Sequence, residues 1–247
     1  MTNEIRFDFT GTKVLVTGGT SGIGHATALL FRDAGADVIV TGTRSDAAQY
    51  DADLTGLDYR RLVLTDEESI DELVAGISTL DVLINNAGAN FPGGLDERSP
   101  EGFERSVALN LVGMYRVTLT LREKLAASTT AGGGCVINLA SMAALRAVPI
   151  VPGYGAAKAG VISLTRNLAV AWAGEGIRIN AVAPGTIRTP MTAPMRPETA
   201  AAELAHIPVG RFGAVDEIAP TIAFLCTAQS SYTSGAVFVV DGASDCV

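Results

Sequence analysis

Lysine is scarce in this chain: three residues, against fifteen arginines, in a sequence of 247, with no basic run and a net charge of −8. Nucleic-acid binders take their affinity from clustered Lys and Arg that neutralise phosphates, so that class is excluded. Cysteine is scarce too. Cys135, Cys226 and Cys246 form no CxxC pair and no metal-ligand spacing, which reads as reduced thiols in a cytoplasmic protein without a bound metal. Long apolar runs are also missing. No uninterrupted stretch approaches the roughly 20 residues a membrane span needs, and Met1 to Thr10 carry Glu4 and Asp8 in place of an apolar signal core. No membrane partner is expected.

Apolar residues, by contrast, make up 48% of the chain, charged ones only 18%, and glycine numbers 27, a balance that suits a compact α/β enzyme with buried strands and many tight turns. There is no internal repeat and no linker, so residues 1–247 read as a single domain. Short runs rich in Val and Ile mark strands at Lys13–Thr17, Asp37–Thr41, Asp81–Asn85, Cys135–Ala140, Ile177–Ala183 and Ala236–Val240, with a weaker one near Tyr59–Val63. Helical patterns lie between them at Ile23–Ala34, Asp66–Ile77, Pro100–Ala127, Tyr154–Ala173 and Val215–Thr227. Strands apolar on both faces that alternate with helices make a parallel sheet covered on both sides, and right-handed crossovers then wind it doubly. Ligands of such sheets sit beyond the carboxyl ends of the strands. The loops after each strand are where the chemistry should be.

The first strand runs into Thr17-Gly18-Gly19-Thr20-Ser21-Gly22-Ile23-Gly24 and then a helix. Glycines there let backbone approach a pyrophosphate, and the helix N-terminus offers unpaired N–H groups. A Gly-rich turn is a weak signal alone, but its place after the first strand of this pattern points to a dinucleotide. The end of the second strand selects the cofactor. A carboxylate there binds the ribose hydroxyls of NAD, whereas small residues and a nearby Arg admit the 2′-phosphate of NADP. Here it reads Val40-Thr41-Gly42-Thr43-Arg44, which favours NADP(H) over NAD(H), with Thr43 and Arg44 as contacts. The fourth strand ends in Asn85-Asn86-Ala87-Gly88, a turn that lets a cofactor pass close to the backbone.

The fifth strand ends at Ala140-Ser141, and Tyr154 stands four residues before Lys158 on the helix that follows. Residues i and i+4 share a helix face. An ammonium beside a phenol is expected to lower its pKa and make it a usable proton shuttle, with Ser141 donating to the substrate oxygen as charge grows there. A Tyr–Lys pair at this spacing is common on helix surfaces, so its weight comes from the Gly-rich turn upstream.

These motifs, with Asn110 and with Pro184-Gly185 followed by Thr189, resemble those of the short-chain dehydrogenase/reductase family over nearly the whole chain. The resemblance implies a Rossmann-type domain of about seven parallel strands with helices on both faces. It implies a catalytic tetrad of Asn110, Ser141, Tyr154 and Lys158, in which Tyr154 transfers the proton. Lys158 would lower its pKa and hold the nicotinamide ribose, and Asn110 would anchor a water. The cofactor would meet Gly18, Thr20, Ser21, Gly22, Ile23, Gly24, Asn86, Ala87, Gly88, Pro184, Gly185, Ile187 and Thr189. The resemblance also implies a homotetramer built on the helices Pro100–Ala127 and Tyr154–Ala173. Two departures stand out: Val63 occupies the place of an adenine-binding Asp, leaving Thr65 or Asp66 to substitute, and the stretch from Arg44 to Asp81 is short by one peripheral helix.

Candidates for the substrate pocket are Asn90 to Pro92, Met142 to Ile150, and a lid from Arg188 to His206. Leu145, Val148, Ile150, Met191 and Met195 suggest an apolar or medium-sized carbonyl or alcohol. A 3-oxoacyl-thioester reductase and a sugar, steroid or polyol dehydrogenase all remain open. The alternative from another class, a silent cofactor-sensing regulator, is disfavoured because all four tetrad positions are filled.

Overall fold

The computed structural model describes residues 5–247; the part of the N-terminal reading that rests on Glu4 lies outside them. Seven parallel strands stand in the order β3-β2-β1-β4-β5-β6-β7. They are β1 (Lys13–Val16), β2 (Asp37–Gly42), β3 (Asp58–Arg61), β4 (Val82–Asn85), β5 (Gly134–Leu139), β6 (Ile177–Pro184) and β7 (Val237–Val240). The order reverses between β1 and β4, which pair directly through Val14–Val82 and Val16–Ile84. Loops diverge there and leave the crevice in which such sheets bind ligands.

The period of two along each strand decides which helix covers which face. Val14, Val16, Val38, Val40, Val82, Ile84 and Ile137 point to one side, against Ala28 and Phe31 of α1 (Gly22–Asp33) and Ile218 and Ile222 of α8 (Val215–Cys226). Leu15, Leu83, Val136, Ile177 and Ile179 point to the other. There they meet α2 (Glu67–Ala75), α4 (Met114–Thr120), α5 (Arg122–Ala126) and α6 (Pro152–Trp172) through Leu73, Val117, Leu121, Leu125 and Trp172. Each such fully buried Leu, Ile or Val contributes about 1.5–3 kcal/mol relative to exposure.

Two expectations about helices change. The pattern Pro100–Ala127 is not one helix but α3 (Pro100–Val107), a π-helical turn (Ala108–Gly113), α4 and α5. The wide turn falls at Asn110, whose amide bonds sideways to Ala89 and back to Ser106 rather than pointing to solvent. The Arg188–His206 segment contains a helix, α7 (Pro197–Ala205), which Pro197 at its first position and an Ala-rich run favour. Between β2 and β3 there is a single 3₁₀ turn, Ala47–Gln49, in keeping with the short spacing read in the sequence.

At the end of the sheet remote from the crevice, Arg178 is buried and has no carboxylate partner among the described residues. Carbonyl oxygens accept from its guanidinium instead: Leu225 at 2.9 Å, Gly132 at 3.1 Å and Ser230 at 3.2 Å. Arg178→Met removes these donors and strands the oxygens, and a loss of about 3 kcal/mol is expected in urea unfolding, with unchanged cofactor affinity in the folded fraction.

Candidate active site

A cavity of about 500 Å³ lies over the carboxyl ends of β1, β4, β5 and β6. Its cofactor end is made by the turn from β1 into α1. Gly18 has φ +65°, and a Cβ there would stand 2.9 Å from the Cα of Ala87, so only glycine lets these two loops touch. Asn86 locks the contact, its amide donating to the carbonyls of Thr17 (3.0 Å) and Gly18 (3.1 Å). A Cβ on Gly24 would overlap that same amide. Asn86 therefore shapes the turn with its side chain, although it also lines the cavity.

Helix α1 begins without a side-chain cap and without an acidic residue in its first turn, and Ser21, Gly22 and Ile23 line the cavity. Unpaired N–H groups at the positive end of a helix suit a diphosphate. Gly18, Thr20, Thr43, Ala87, Gly88, Pro184, Gly185, Ile187 and Thr189 line the cavity as well. A nicotinamide dinucleotide fits this cradle.

The adenosine end departs from expectation. Neither Thr65 nor Asp66 reaches the cavity, because the Asp66 carboxylate is spent on the Glu68 N–H (3.1 Å) as the cap of α2. Leu62 and Leu64 line it in their place, so this end is apolar. Arg44 does not line it either; its guanidinium lies 4.6 Å above the ring of Tyr50. Tyr50 was invisible to the sequence reading. Its hydroxyl accepts from the Arg44 N–H at 2.9 Å and takes the space a Cβ on Gly42 would need. The Tyr59 hydroxyl donates to the Arg44 carbonyl at 2.5 Å and completes the cluster.

At the reacting end, Ser141, Tyr154 and Lys158 line one part of the cavity. The Ser141 oxygen accepts from the Ala143 N–H at 3.1 Å, and its hydroxyl lies near enough to the Tyr154 phenol to favour the phenolate. Lys158 is 3% exposed and its Nζ donates to the Leu139 carbonyl at 2.6 Å. The expected depression of the phenol by Lys158 is not met. Burial dominates and pushes Tyr154 up to about 12, the Ser141 hydroxyl opposes this, and the Glu97 charge adds to it. The ammonium lies 5.5 Å from the centre of the Tyr154 ring and is turned to a carbonyl, and burial pushes Lys158 down to about 8. Asn110 is buried and pairs with both backbone groups of Ala89, accepting from its N–H and donating to its carbonyl, each at 3.0 Å.

The substrate side has apolar walls from Phe91, Met142, Val148, Ile150, Met191 and Met195. Arg146 is paired with Glu203 of α7, which also accepts from the Thr186 hydroxyl at 2.7 Å. His25 and His206 bond to the carbonyls of Asp53 and Ala202, each at 2.8 Å, as structural ties.

A glycine cradle at the switch point of a parallel sheet, opening onto a Ser–Tyr–Lys cluster whose lysine is buried, defines a nicotinamide-dependent oxidoreductase. Residues 18–243 match the family model described as Enoyl-(Acyl carrier protein) reductase. A 3-oxoacyl-[acyl-carrier-protein] reductase of Thermotoga maritima is 37% identical over 94% of this chain and 97% of its own length. A cis-4-hydroxycyclohexanecarboxylate dehydrogenase of Sinomonas cyclohexanicum is 36% identical over 95% and 96%. The crystal structure of a short-chain type dehydrogenase/reductase from Mycobacterium marinum superposes with a TM-score of 0.86, at 31% identity over 98% of each chain. The chain belongs to the short-chain dehydrogenase/reductase family. It exchanges hydride between a nicotinamide cofactor and a carbonyl/secondary-alcohol pair. No helix among the described residues is long and apolar enough to cross a membrane.

Proposed function

We propose that the whole chain acts as one catalytic unit, an NADP(H)-preferring carbonyl reductase or alcohol dehydrogenase in which Tyr154 is the proton donor and acceptor. The observation that carries this reading is the convergence of Ser141, Tyr154 and Lys158 in the cavity that the glycine turn opens into. When bound, the dinucleotide supplies or accepts the hydride at the carbonyl carbon. Ser141 donates to the carbonyl oxygen and orients it, Tyr154 delivers the proton to the alkoxide, and the Lys158 ammonium stabilises the phenolate left behind. Asn110 holds the turn after β4 beside Lys158 through its paired bonds to Ala89.

Support for NADP(H) comes from the end of β2. Gly42 offers no carboxylate, and Tyr50 fills the space one would enter. The Arg44 charge is held against the Tyr50 ring at the cavity's edge, with Thr43 lining it. In fluorescence titration NADPH is expected to bind at least about tenfold tighter than NADH, about 1.4 kcal/mol. The reverse preference overturns this part of the reading.

The apolar walls favour a medium-sized ketone or secondary alcohol. Relatives named for a cyclohexane-ring alcohol and for a 3-oxoacyl thioester bracket that size. A panel of cyclic ketones, acyl thioesters, sugars and steroids, followed by NADPH oxidation, tests it. Cyclic ketones and short acyl thioesters are expected to lead, and a preference for sugars would overturn the assignment. The expected homotetramer is supported by exposed Phe103, Tyr115, Leu119 and Val170 on α3, α4 and α6, an apolar set on the helices named for that contact. A cytoplasmic location completes the proposal.

A further inference from the structure

Glu97 is fully buried, although no arginine, lysine or histidine pairs with it among the described residues. A carboxylate left alone in an apolar interior is costly unless hydrogen bonds hold its charge. Both of its oxygens are so held. Oε1 accepts the N–H of Phe91 at 2.8 Å, and Oε2 accepts the N–H of Tyr154 at 2.6 Å. The proton chemistry proposed above makes no use of it.

The two amides belong to different segments that both line the site. Helix α6 begins Val151-Pro152-Gly153-Tyr154, and its N-cap residue, Val151, has no side chain able to accept from the first turn. The N–H of Tyr154 is one of the orphans this leaves. Glu97 satisfies it from 57 residues away and brings a negative charge to the positive end of a 21-residue helix. The packing is close: a Cβ on Gly153 would stand 3.2 Å from the same Oε2. Phe91 is one of the non-glycine residues with positive φ, at φ 48° and ψ 52°, and it lines the cavity. A backbone conformation of this kind persists where its surroundings hold it.

We propose that Glu97 is a positioning residue: one buried carboxylate holds the first turn of α6, and with it Tyr154, in register with the loop that carries Phe91 over the substrate. The proposal rests on Tyr154 being the proton donor. A shift of either amide moves the phenol relative to the bound carbonyl, and displacements near 1 Å can cost about a hundredfold in rate. The Glu97 charge also adds to the rise in the phenol's pKa. The other charged groups lining this cavity are Lys158, on the same helix as Tyr154, and the mutually paired Arg146 and Glu203.

Glu97→Gln is nearly isosteric, but it sets an NH2 group against one of the two amides. In the purified full-length enzyme kcat is expected to fall at least about tenfold. NADPH affinity by fluorescence should stay within about twofold, because the dinucleotide turn is untouched. Substrate KM should rise as the Phe91 loop loosens. The discriminating readout is the solvent deuterium isotope effect on kcat. A displaced proton donor makes proton transfer more rate-limiting and raises that effect, whereas a loss of folded enzyme scales kcat and leaves it unchanged. Glu97→Asp keeps the charge but reaches only one amide. It is expected to show the same two changes in smaller measure, and it carries the test if the Gln variant does not fold. A kcat within twofold of wild type, or a fall with an unaltered isotope effect, overturns the proposal. Retained activity in Tyr154→Phe would instead sink the reading on which it rests.

Discussion

Tyr154→Phe is expected to lower kcat for carbonyl reduction by about a thousandfold, the middle of the range for loss of a positioned general acid. Affinity for NADPH should change by less than about twofold. The substitution removes one oxygen from a ring that lies among buried neighbours, so the ring packing and the backbone bond from its N–H to Glu97 are retained. What is lost is the phenol that lines the cavity with Ser141 and Lys158. Because the phenol is pushed up to about 12, it is fully protonated at neutral pH, which is the form that reduction needs. Steady-state rates with NADPH and the best ketone of the panel, alongside fluorescence titration, decide the matter. A variant that retains most activity with every substrate means that another group delivers the proton.

Lys158→Met should cost almost as much, about a hundredfold or more in kcat, and should change the pH dependence as well. Burial pushes the lysine down to about 8, so it is charged below that pH and neutral above it. The charged form stabilises the phenolate left when Tyr154 gives up its proton. Reduction by the wild type is therefore expected to be fastest below about pH 8 and to decline as the pH rises through that value. Tyr154 stays protonated across the same range and does not produce this decline. In Lys158→Met the decline near pH 8 disappears and the rate is low throughout. A wild-type profile that is flat from pH 6 to about 10, or a decline that survives the substitution, shows that Lys158 does not carry this titration.

Much of the fold was legible because its signals are local. The runs at Lys13, Asp37, Asp81, Cys135 and Ile177 form strands within a residue or two of their predicted limits. Their alternation with helices implied the parallel sheet. The weaker strand begins and ends earlier than Tyr59–Val63, at Asp58–Arg61, since Leu62 and Leu64 turn inward toward the cavity and the core of the other face. The break in Pro100–Ala127 left no mark in the apolar period. It arises where the Asn110 side chain bonds to Ala89, 21 residues away. Helix α7 did have readable signals, Pro197 at its start and an Ala-rich run, and the prolines around it masked them.

The sequence by itself determined the sheet, the glycine turn after β1 and the i, i+4 spacing of Tyr154 and Lys158. Each depends on strand period, helix pitch or backbone freedom within a few residues. Tertiary structure alone decided how those groups behave. Burial sets the proton affinities of Tyr154 and Lys158, against the simpler expectation that a neighbouring ammonium would dominate. Contacts from distant segments place Tyr50 over Gly42, Glu203 on Arg146, and Glu97 on the amide of Tyr154. Local geometry is written into short stretches of chain, whereas desolvation and long-range hydrogen bonds exist only once remote segments have packed together.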